Sequence, residues 1–234
     1  MTHALTDTPT SAMRSSRAAD VALIAVFAAL LAALAMMPPI PVGPVGVPIT
    51  LQTFGVALCG LVLGPWRGAA ATLLYVSLGL LGLPIFSGMR GGIGVLAGPS
   101  AGYILSFTLY ALAAGFVARW AIRRFRGRKL GVALFAGSLG ASILLNHPLG
   151  ILGMSINGGL PLGGAFIADL AYWPGDILKN ILAASVAVII HRGFPDILRR
   201  RGARPLMSTA SVAGPAAGTA STTASTNGEG GQGQ

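Results

Sequence analysis

Asp176 and Lys179 open the last long apolar segment of the chain, in the run Trp173-Pro174-Gly175-Asp176-Ile177-Leu178-Lys179-Asn180. A carboxylate and an ammonium three residues apart on a helix share one face. Asn180, four residues on, lies on the other flank of Asp176. Each charge costs roughly 2.5–3.5 kcal/mol if it sits deep in a bilayer. A pair held there needs a reason, and a polar solute that takes a donor and an acceptor is the first one to consider. Arg90 is a second isolated charge, in the glycine-dense segment Gly82-Leu83-Pro84-Ile85-Phe86-Ser87-Gly88-Met89-Arg90-Gly91-Gly92. That segment leads to Gly98-Pro99-Ser100-Ala101-Gly102-Tyr103. Glycine density lets backbone approach a ligand closely and leaves N–H groups free at a helix start. The plainer alternatives are a flexible loop before a proline-started helix and, for Arg90, a charge near lipid headgroups.

Other chemistry is thin. His147, in Asn146-His147-Pro148, sits within an apolar segment and reads as a bonded core group near a proline kink, with a relay as the alternative. Ser138 has no assignable base, so it is not a convincing nucleophile. Cys59 lies alone in an apolar run and reads as a small buried residue. No His, Cys and carboxylate residues cluster at metal-ligand spacing. The only lysines are Lys129 and Lys179, and neither follows a phosphate-binding glycine loop. No cofactor is expected.

These residues need elements to position them. The chain is 53% hydrophobic and 9% charged, against about 25% charged in soluble domains. This composition marks an all-α integral membrane protein. We read six spans, near 20–37, 50–64, 67–83, 100–122, 130–153 and 175–192. A tight turn, Gly64-Pro65-Trp66-Arg67, separates the short second and third. A short interfacial helix fits within Leu162 to Trp173. Residues 1–19 form an N-terminal segment. From 193 the chain is first basic, then a low-complexity Ala/Ser/Thr/Gly tail expected to be disordered.

Fourteen of the 16 basic residues fall at the ends that place both termini in the cytoplasm. Arg90 and Lys179 are the two that topology does not explain. The net charge of +10 therefore reads as membrane orientation in a cytoplasmic (inner) membrane, not as affinity for nucleic acid. Three Gly/Pro-rich connections, 38–49, 84–99 and 154–174, then share the outer face. Alanines at 18, 22, 25, 29, 32 and 33 draw a small-residue stripe on span one, suited to close helix packing inside the protein or against a partner.

Three elements carry a resemblance. They are Pro48-Ile49-Thr50-Leu51-Gln52-Thr53-Phe54, the Gly82-to-Tyr103 segment, and Pro174-Gly175-Asp176-Ile177-Leu178-Lys179. In this order on six spans they resemble the BioY family, the biotin-binding S components of energy-coupling-factor (ECF) transporters. The resemblance covers roughly residues 20–192. Where the family pattern reads Gly-Pro-Thr-Gly-Gly-Tyr, this chain has Ser100 and Ala101. The resemblance implies that Asp176 and Lys179 contact biotin. It also implies a membrane T component and cytoplasmic ATPase subunits as partners, with ATP hydrolysed only by those subunits. The T component would dock on an Ala-x-x-x-Ala surface matched by Ala25, Ala29 and Ala33.

Biotin's ureido ring offers two N–H donors and one carbonyl acceptor, which suit Asp176 and Lys179. Phe86, Tyr103 and Trp173 suit its apolar parts, and Arg90 or the glycine loop its carboxylate. Asn180, Gln52, Gly98 and Ser100 complete the candidate set. The alternatives are an S component for another small vitamin, a membrane enzyme acting on an amphiphile, and a structural assembly subunit. Homo-oligomerisation stays open.

Overall fold

A computed structural model describes residues 10–42, 47–195 and 197–198, with side chains from Arg17 onward. The expected tail and the side chains of Arg14, Arg199, Arg200, Arg201 and Arg204 lie outside the described residues. Eight α-helices are present among the described residues: α1 (Thr10–Ala35), α2 (Gln52–Leu63), α3 (Pro65–Leu80), α4 (Ala101–Arg124), α5 (Gly127–Ala141), α6 (His147–Ile156), α7 (Leu162–Leu170) and α8 (Trp173–Gly193). A π-helical turn, Ser142–Asn146, joins α5 to α6 in one continuous rod, and a 3₁₀ turn, Ile93–Ala97, precedes α4. Counting that rod once gives six long segments with the short α7 before the last, as expected from hydropathy.

Four segments are long and apolar enough to cross a membrane: Arg17–Ala35, Ala101–Arg124, Gly127–Ile156 and Trp173–Gly193. α2 and α3 are shorter, at 12 and 16 residues. The expected turn between them shrinks to one residue. Gly64 takes φ +81°, and Pro65 already occupies the first turn of α3. Proline suits that position because its missing N–H has no intrahelical acceptor there anyway.

α4 runs through the centre. It packs against α2, α3, α5 and α6, while α8 lies against α2 and α5. Alanine carries much of this contact: Ala111, Ala114, Ala118 and Ala121 of α4 are all fully buried. In lipid, small residues let helix backbones approach. The α4–α6 crossing depends on this. A Cβ on Gly102 would lie 1.8 Å from the Leu149 carbonyl oxygen, and one on Gly150 would lie 2.1 Å from the Tyr103 ring. At the basic end, Arg67 of α3 pairs with Asp20 of α1 at 3.0 Å.

The π turn has a local cause. Pro148 has no N–H to give to the carbonyl four residues back. The ladder widens instead, with the His147 N–H reaching the Ser142 carbonyl. Both Asn146 and His147 then point inward and are buried. The kink expected here is therefore a one-residue insertion within a single π turn, a feature that often accompanies functional sites.

Candidate functional site

The starts of α2, α4 and α8 meet at the end of the bundle that carries the Gly/Pro-rich connections. Between them lies a cavity whose empty volume, open mouth included, is about 590 Å³. Its floor holds the charged pair. Lys179 Nζ donates to Asp176 Oδ1 at 2.9 Å, and Thr53 Oγ1 donates to the same oxygen at 3.0 Å. Lys179 also donates to Thr53 Oγ1 at 3.2 Å. Asp176 is 3% exposed and Lys179 9%. Such a pair avoids two unpartnered buried charges, since each group has a counter-charge and further hydrogen bonds.

The walls are apolar and aromatic. Phe86 and Tyr103 line the cavity. Phe86 is fixed edge-on against Tyr75, centroids 5.5 Å apart, and Tyr103 against Tyr172 at 6.0 Å. Gln52 donates to the Tyr75 hydroxyl at 2.7 Å, and that hydroxyl donates to the Ile85 carbonyl. The glycine-dense loop folds back on itself. The Phe86 N–H bonds the Arg90 carbonyl at 3.0 Å across a turn in which Gly88 and Met89 take φ +70° and +57°. Positive φ is costly for methionine, so this turn is held by its surroundings. It sets Arg90 at the exposed mouth, where its Nε donates to the Ser87 carbonyl.

Of the residues singled out from sequence, Gln52, Phe86, Arg90, Ser100, Tyr103, Asp176 and Lys179 line this cavity. Three do not. Asn180 stands beneath the floor. Its Oδ1 accepts from Tyr110 and Ser138 at 2.9 and 2.6 Å, and its Nδ2 donates to the Asp176 carbonyl. It anchors the turn that carries Asp176. Trp173 donates to Asp169 Oδ2 at 2.9 Å and tilts against His147. The Gly98 carbonyl is tied to Asn157 and to the Ala101 N–H, which holds the loop at the start of α4.

Sequence reasoning missed Asp169. It is fully buried and accepts from Tyr103 Oη at 2.5 Å, His147 Nδ1 at 2.9 Å and Trp173 Nε1 at 2.9 Å. His147 Nε2 faces Asp176 Oδ2 at 3.5 Å. One polar chain therefore runs from α7 through α6 to the floor of the cavity. The available signal was scarcity: between Asp20 and Asp196 the chain has no acids other than Asp169 and Asp176. Asn146, Ser87, Thr50, Thr53 and Tyr172 also line the cavity and were not singled out. The Tyr172 hydroxyl closes one edge by donating to the Val47 carbonyl at 2.8 Å.

Residues 6–196 match the model of the BioY family. The chain is similar to the biotin transporter BioY of Rhodobacter capsulatus, 41% identical over 166 residues that cover 67% of this chain and 85% of that one. It is also similar to the biotin transporter BioY of Rhizobium etli, 35% identical over 150 residues, covering 64% and 80%. Among solved structures it matches the crystal structure of the S-component for biotin from an ECF-type ABC transporter. The TM-score is 0.71 and the identity 26%, covering 81% of this chain and 95% of that one. With its fold, its span order and nearly its whole described length matched, the chain belongs to the BioY family.

Proposed function

We propose that this protein captures biotin at the outer face of the cytoplasmic membrane, as the substrate-binding component of an ECF-type transporter. The observation that carries this reading is the cavity itself, in which a buried carboxylate and ammonium stand at the base of apolar walls. Asp176 accepts from a ureido N–H and Lys179 donates to the ureido oxygen. Phe86 and Tyr103 flank the thiophane ring and valerate chain. Arg90, at the mouth, meets the carboxylate. A T component and ATPase subunits supply the energy. The exposed positions Ala25, Ala29 and Ala33 on α1 form the face on which the T component docks. Both termini lie in the cytoplasm.

Isothermal titration of the detergent-purified protein tests this directly. Saturable, tight binding of biotin is expected, with no comparable heat from thiamine or riboflavin. Tight binding of another vitamin with none of biotin would overturn the assignment of substrate.

A further inference from the structure

Asn146 is fully buried, lines the cavity, and has one end of its amide without a hydrogen-bond partner. Buried polar groups are nearly always bonded, so an orphan on a residue that lines a cavity points to a group that the ligand brings. The bonded end shows what the free end is. Ser106 Oγ lies 2.8 Å from that end of the Asn146 amide and 2.7 Å from the Tyr103 carbonyl oxygen. A serine has one O–H. It cannot donate both to the Tyr103 carbonyl and to an amide oxygen. Both short Ser106 contacts become hydrogen bonds when Asn146 Nδ2 donates to Ser106 Oγ and the Ser106 O–H donates to the Tyr103 carbonyl. Amide orientation follows from such a network. The end left over, buried and without a partner on a residue that lines the cavity, is then the carbonyl oxygen Oδ1.

Resting on the biotin reading above, we infer that Asn146 is the second acceptor for the ureido ring and a specificity-determining residue of the site. The cavity already presents the Asp176 carboxylate and the Lys179 ammonium. Adding Asn146 Oδ1 gives two acceptors and one donor, the complement of two N–H groups flanking one C=O. The π turn has a part in this. It turns Asn146 and His147 inward at adjacent positions, which sets Asn146 on the cavity while His147 stays with Asp169 and Asp176. A ligand that keeps the ring but lacks one N–H would leave an acceptor buried and unpaired.

The test compares biotin with its two mono-N-methyl ureido isomers, by titration on the parent protein and on Asn146→Ala. The parent should prefer biotin over both isomers by roughly 10- to 100-fold. In Asn146→Ala, biotin should bind about 10-fold or more weakly, and discrimination against one isomer should collapse to within about threefold. Discrimination against the other, whose methyl faces Asp176, should persist. The ratio reads only binding-competent molecules, so partial unfolding does not mimic the result.

If the alanine variant yields no folded protein, Ser106→Ala serves instead. Without its anchor the amide turns freely, and the same isomer's discrimination should fall at least about threefold. Unchanged discrimination against both isomers, or biotin binding to Asn146→Ala within about twofold of the parent, overturns the role of Asn146. A parent that binds no biotin overturns the functional reading beneath it.

Discussion

Replacing Asp176 by Asn keeps the side-chain shape but leaves Lys179 with Thr53 and no counter-charge. Lys179→Met leaves the carboxylate with Thr53 and His147. Removing one member of a buried, hydrogen-bonded charge pair costs about 2–5 kcal/mol in binding, or roughly 30- to several-thousand-fold in affinity. The double variant should lose far less than the sum, because groups in contact are not additive. Titration of the three variants with biotin checks this, and single variants within about threefold of the parent would remove the pair from the site.

Asp169 makes a separate prediction. It holds three donors from three helical elements and touches no cavity space. Asp169→Leu strands Tyr103, His147 and Trp173, and should cost about 1–3 kcal/mol of stability for each buried group left unpaired. Thermal unfolding in detergent, followed by loss of monodispersity, should show a clear fall in midpoint even where biotin is absent.

At the scale of elements, α1 has an inward and an exposed face, with Ala32 of the stripe partly buried against the core between them. Ala28, Leu31 and Ala35 pack inward, while Ala18, Ala22, Ala25, Ala29 and Ala33 are exposed. Apart from Ala32, the small-residue stripe is therefore not consumed by internal packing. Ala25→Trp with Ala29→Trp should block co-purification with the T component and leave biotin affinity within about twofold of the parent, since neither residue approaches the cavity. Loss of biotin binding with intact co-purification would instead place this face inside the fold.

Hydropathy made the elements readable, because each long apolar run had one structural solution in lipid. α7 was readable too, as a short segment among glycines. Its polarity was not. Leu162, Phe166, Ile167 and Leu170 face outward and Asp169 inward, which inverts the pattern of a soluble helix. Asp169 was passed over because its partners come from α4, α6 and α8, 66, 22 and 4 positions away. The π turn was legible only as a proline nearby. The extra residue it inserts is what places Asn146 on the cavity, and spacing rules for an ordinary helix cannot show that. Asp176 and Lys179 were legible because both sit within one turn of one helix.

At the scale of the whole molecule, the basic and glycine-rich ends lie on opposite faces of the membrane in the proposed orientation. Cys59 is the only native cysteine and is buried, so single introduced cysteines report cleanly. Ile93→Cys, on the exposed 3₁₀ turn, should react with a membrane-impermeant maleimide added outside intact cells. Arg128→Cys, exposed in the first turn of α5, should react only after the membrane is opened. The reverse pattern would turn the molecule over.

The shortness of α3 carries a consequence for the surrounding lipid. At 16 residues it spans about 24 Å, against a hydrocarbon layer of about 30 Å. It is not shielded along its length, since Trp66 and Leu73 are exposed. On that flank the acyl chains must compress by several ångströms, while the longer α4 and α8 ask for no such thinning. The protein thus sits in an uneven collar of lipid. Mismatch costs fractions of a kcal/mol per ångström, so a membrane of longer acyl chains strains this one flank and a thinner one relieves it.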